Sequence, residues 1–181
     1  MARLPYVDPE QASDELKRTF AEVPFKLNII AMAAHAETSI RPLLRLGQSI
    51  LTTQQLDPVV RELAILLVAR LTRAEYEWVQ HEALGRGIGI GDEQIDALRS
   101  GDVEADVFDE RQRTALRFAE EVVRDGDARD ETFAALAAAF PPREVVELIL
   151  AIGYYVMLGY LMKVTRIDLD GPAGVTFEDI E

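Results

Sequence analysis

Three side chains between Asp57 and Gly91 are of types that move protons: Glu62, Glu77 and His81. Glu62 sits inside an apolar run, with Val59 and Val60 before it and Leu63, Ala64, Ile65, Leu66, Leu67 and Val68 after it. A helix that is apolar nearly all round is a buried helix, and a buried carboxyl must be paired, hydrogen-bonded or neutral. Desolvation favours the neutral form of such a group, which suits it to proton transfer. Glu77 and His81 are separated by one helical turn and so share a face. A carboxylate beside an imidazole orients the ring and favours its charged form. The expectation is that the three side chains meet across a two-helix hairpin, with His81 as general acid/base, Glu62 as its partner, and Glu77 as a second acid/base or orienting group.

Structural readings stand beside these. Glu62 could be an acid in a first helical turn, or pair with a structural arginine across an interface. Glu77 and His81 could be an ordinary surface pair. The three together would also make a minimal metal-ligand set, but HExxH is absent and no metal is expected. Tyr76 and Trp78 flank Glu77 and either pack into the core or form the wall of a substrate pocket. His35 reads as a satisfied core or helix-end histidine. Tyr154, Tyr155 and Tyr160, with Met157 and Met162, are chiefly core or interface material, although one tyrosine could line a cavity.

The elements that must position these groups are helical throughout. Asp8-Pro9-Glu10-Gln11 has the residues of a helix start, and Pro24 of a helix stop. A short apolar segment from Asn28 to Ala36 carries His35, and Thr38 or Ser39 can cap the next helix. Asp57-Pro58 opens the helix of Glu62, and a turn from Thr72 to Ala74 leads into that of His81. Gly85, Gly87, Gly89 and Gly91 end it. Further helices are expected from Asp92 to Leu98, Phe108 to Arg124, Glu131 to Phe140, and Pro141-Pro142 to about Lys163. No alternating run of β-branched residues reads as a strand. The fold class is therefore all-α: one domain over residues 1–181, with about seven to nine helices.

Composition removes several functions. The chain has 181 residues, 49% hydrophobic and 28% charged, which suits a folded domain. A net charge of −13 repels phosphate backbones and anionic membranes, so neither nucleic acid nor membrane is an expected partner. The segment from Val145 to Met162 approaches bilayer-spanning length, but Glu147, Gly153 and Gly159 favour a buried core or subunit-interface helix. No basic and apolar leader is visible, and the expected location is cytoplasmic. There is no cysteine, hence no thiolate nucleophile. G-x-S-x-G, P-loop, G-x-G-x-x-G and kinase signatures are absent.

The run RELAILLVARLTRAEYEWVQH, its glycine-rich turn and the following DEQIDAL resemble the carboxymuconolactone decarboxylase-like family, which includes alkylhydroperoxidase D. The resemblance extends from VDPEQA to YYVMLGYLMKV. The family's glutamate, two cysteines and histidine fall here at Glu62, Ala74, Glu77 and His81. With both cysteines replaced, thiol peroxidase chemistry is expected to be absent. The resemblance then implies the non-thiol branch: a lyase-like, cofactor-free acid/base enzyme. It would act on a small oxygenated carboxylic acid or lactone by decarboxylation, isomerisation or elimination. In that branch an arginine two residues beyond the histidine holds a substrate carboxylate. Ala83 occupies that position here, leaving Arg86 or Arg73 as replacements. The resemblance also implies a homo-oligomer, a trimer or hexamer or else a dimer. A non-catalytic oligomeric binding protein on the same fold is the alternative.

Overall fold

Asp57 begins the central helix by local chemistry. Its carboxylate accepts from the backbone N–H groups of Val59 (2.9 Å) and Val60 (3.1 Å), and Pro58 supplies a preset φ at the first helical position. In the computed structural model, which describes residues 1–23 and 27–170, this helix is α4 (Pro58–Thr72). Its residues from Val60 to Ala69 are buried without exception, so it must be surrounded. The helices around it are α5 (Glu75–Gly87), α6 (Asp92–Ser100), α7 (Glu110–Asp125) and α9 (Pro142–Thr165). The remaining elements are α1 (Asp14–Glu22), α2 (Asn28–Ala33), α3 (Glu37–Thr52) and α8 (Asp130–Ala139). Nine helices and no strand are found among the described residues, so the fold is all-α.

Arg73 turns the chain from α4 into α5. It adopts the left-handed conformation (φ 56°), and its N–H bonds back to the carbonyls of Ala69 and Arg70. α9 approaches this turn closely at Gly159, where an added Cβ would stand 3.2 Å from the Thr72 hydroxyl. Lys163 of α9 donates to the Thr72 carbonyl at 2.6 Å. α9 is the one described helix long and apolar enough to cross a membrane, and over half of that stretch is buried in the core. Gly47 does for α3 what Gly159 does for the turn: a Cβ there would collide with the Tyr154 hydroxyl, which donates to the Leu43 carbonyl at 3.2 Å. A second, smaller core of Leu16, Ile30, Ala33, Ala34 and Ile40 joins α1 and α2 to α3.

Several helix edges differ from the sequence reading. Asp8 to Gln11 form an isolated turn, in which Asp8 accepts from both the Glu10 N–H and the Gln11 amide. The cap of α1 is Ser13, whose hydroxyl takes the Leu16 N–H at 3.2 Å. The Asp-Pro pair fails here because the next apolar face begins only at Leu16. Pro24, expected to stop that helix, lies outside the described residues. Thr38 and Ser39 fall inside α3, which begins at Glu37 without a side-chain cap. Gly85 and Gly87 are helical; the chain leaves α5 at Ile88, and Gly91 caps α6 instead.

Candidate active site

α5 presents Tyr76, Glu77, Gln80, His81 and Leu84 along one face, the set that helical periodicity dictates. They form one wall of a cavity of about 490 Å³, within the range of small-molecule sites. α9 contributes Tyr154, Tyr155, Leu158 and Met162, and α3 contributes Arg41, Leu44, Arg45, Gln48 and Leu51. Most of the lining is apolar.

His81 and Glu62 meet across the hairpin. His81 Nδ1 lies 2.7 Å from Glu62 Oε2, and both side chains are buried. An ionised carboxylate only accepts, so Nδ1 carries the proton and Nε2 is the nitrogen left for the cavity. The other oxygen of Glu62 accepts from Arg61 Nε at 3.3 Å. Both structural readings of Glu62 are thereby refined. It stands one turn into α4 rather than in the first turn, and its arginine is the adjacent residue of the same chain. The edge of the His81 ring packs against Tyr155, with centroids 4.6 Å apart at 85°.

Glu77 is different. It is 1% exposed, it lines the cavity, and neither carboxyl oxygen has a hydrogen-bond partner among the described residues. Burial pushes its pKa well above the ordinary carboxylate range. Burial therefore favours the protonated form of this side chain, the form that can give a proton. Tyr154 is pushed up to about 12 by burial and by Glu77, and Tyr155 is raised by burial and by Glu62 and Glu77. Both tyrosines stay protonated at neutral pH.

Two residues expected at a substrate stand elsewhere. Trp78 points into the core. Its Nε1 donates to Glu82 Oε2 at 2.7 Å, and the Arg99 guanidinium lies 5.4 Å from the ring centroid. One position from Glu77 on a helix means roughly a 100° rotation, which carries Trp78 off the cavity face. Arg86 is exposed, paired with Glu82 and Asp92, and outside the lining of the cavity, so it stands apart from the site. Arg73 does not line the cavity. Tyr76 does line the cavity, its hydroxyl donating to Asp170. His35 is an exposed residue beyond the end of α2, with Nε2 2.7 Å from the Pro5 carbonyl oxygen. Among the described residues, no three histidine or carboxylate side chains converge as metal ligands. The sequence reading missed Arg41 and Arg45. Their spacing of four on the flank of an apolar helix face was the available signal.

Residues 40–121 match the carboxymuconolactone decarboxylase family. A comparison with curated proteins gives no match. Solved structures share the fold at low identity. An uncharacterized peroxidase-related protein from Silicibacter sp. TM1040 has a TM-score of 0.80 at 19% identity, over 97% of this chain and 95% of the other. A peroxidase-related alkylhydroperoxidase AhpD core protein from Ralstonia eutropha JMP134 reaches 0.79 at 18%, over 93% and 92%. The debrominase Bmp8, in complex with 2,3,4-tribromopyrrole, reaches 0.74 at 15%, over 94% and 91%. The chain thus carries a segment similar to the carboxymuconolactone decarboxylase family on an alkylhydroperoxidase AhpD-like helical fold, without a cysteine.

Proposed function

We propose that this protein is a cofactor-independent acid/base enzyme acting on a small oxygenated carboxylic acid or lactone, by decarboxylation or a related isomerisation or elimination. One observation carries the reading: a histidine oriented by a buried carboxylate shares a cavity with a second, unpartnered carboxyl. His81 Nε2 takes a proton from carbon next to a carbonyl, and the Glu62–Arg61 pair holds the ring as its charge develops. Glu77 donates to the oxygen where negative charge accumulates. The largely apolar walls exclude water, which strengthens both interactions. Without a cysteine the thiol route has no nucleophile, so the protein is read as no thiol peroxidase.

A non-catalytic binding protein on this fold would have no need of two ionisable groups converging on its cavity. The neighbour that binds a small bromopyrrole supports a small-molecule site. The exposed apolar residues of α9 (Val146, Leu150, Met157, Tyr160 and Val164) support a homo-oligomer, and the absence of cysteine is compatible with the cytoplasm. The test is deuterium exchange from solvent into the α-carbon of a panel of carboxy-lactones and unsaturated carboxylates, followed by NMR. His81→Ala is expected to slow exchange by about a hundred- to ten-thousand-fold while the helical circular dichroism spectrum is kept. Exchange at the wild-type rate in that variant overturns the assignment.

A further inference from the structure

The cavity is chemically lopsided. Its buried depth holds the proton-transfer groups Glu77 and His81 and the ring of Tyr155. Its α3 wall holds two cations, Arg41 and Arg45, one turn apart on one helix face. Glu22 is the counter-charge on that rim, and it is paired with Arg41. Among the described residues nothing pairs with Arg45, which is exposed at the mouth, and the buried Nε of Arg41 has no partner. Among the described lining residues of the rim there are thus two arginines to one glutamate, in a chain whose net charge is −13. A cationic mouth on so acidic a protein attracts an anion locally against the field of the whole.

We propose that Arg41 and Arg45 are the carboxylate anchor of this cavity, holding the head group of an amphiphilic monocarboxylate at the mouth while its apolar body reaches inward. This rests on the acid/base reading for the inner groups and adds an orientation to it. The anchored carboxylate is a handle on the α3 wall, and the carbon that exchanges protons is a different one, presented to the α5 wall. Loss of carbon dioxide from the anchored carboxylate is thereby disfavoured, and proton relocation along the body of the substrate is favoured. Leu44 and Leu51, between and beyond the arginines on the same face, supply the apolar contact for that body.

The test uses the intact protein with cinnamate and cinnamamide, which share an apolar body and differ in the charged head, titrated by calorimetry. Cinnamate is expected to bind about tenfold more tightly than the amide, the difference a charge-assisted contact gives. Arg45→Gln, an exposed position where folding is not at stake, is expected to weaken cinnamate about tenfold and to move the amide by less than twofold. The double variant Arg41→Gln/Arg45→Gln removes the discrimination. Equal affinity for the two probes, equal losses in Arg45→Gln, or no binding of cinnamate overturns the anchor. His81→Ala separates the two readings. If it keeps wild-type exchange while Arg45→Gln still weakens cinnamate alone, the acid/base assignment falls and the anchor stands.

Discussion

Glu62 on α4 and Glu77 on α5 are carboxyls buried to nearly the same depth, 2% and 1% exposed, one helix apart in the same hairpin. Their surroundings differ in every other respect. Glu62 has an arginine on one oxygen and a histidine on the other, which is how a protein keeps a charge in its interior. Glu77 has neither, and faces a cavity instead. Burial alone therefore assigns no role to an acid. Partners fix the first in place to orient a base, and burial without partners shifts the second toward its protonated form.

The largest effect that tests this contrast is on stability. Glu62→Ala leaves Arg61 buried without its counter-ion and is expected to cost about 3–5 kcal/mol, lowering Tm by about 10 °C in calorimetry. A loss below about 1 kcal/mol would mean that the two carboxyls are not held differently. Glu77→Gln should move the other way. The folded pKa of Glu77 lies above its unfolded value, so its contribution to stability is present in full below about pH 4.3 and is lost as pH rises toward the folded value. In urea titrations, the glutamine variant should gain on the wild type with rising pH, at a slope of at most about 1.4 kcal/mol per pH unit. Parallel curves would mean that Glu77 titrates normally. The smallest effect is expected outside the pair. Arg86→Gln should change stability by no more than about 0.5 kcal/mol, because its ion pairs are at the surface, and should leave cinnamate affinity unchanged.

The hairpin was legible because its signals are local. Asp57-Pro58 caps α4 whatever surrounds it, and an apolar run that follows such a helix start reads as a buried helix. The spacing of Glu77 and His81 puts both on one face by geometry alone. Asp8-Pro9 carries the same start signal and makes only a turn, because no packed face follows at helical spacing to hold the helix together. The same limit explains Trp78. Its neighbourhood to Glu77 in sequence is a rotation away from the cavity, and only the packing against α6 fixes which side is the core.

By itself, then, the sequence determined the all-helical class, the burial of Glu62, the absence of a cysteine thiol, and the shared face of Glu77 and His81. Each follows from periodicity, capping or composition, which act within a few residues. The tertiary structure decided which buried carboxyl has partners. It also decided that Arg41 and Arg45 reach the cavity while Arg86 is tied to Glu82 and Asp92 at the surface. Those outcomes depend on how α3 and α9 close over the hairpin. The close approach of Gly47 to Tyr154 and of Gly159 to Thr72 sets that closure, and contacts between residues so far apart in the chain have no local signature.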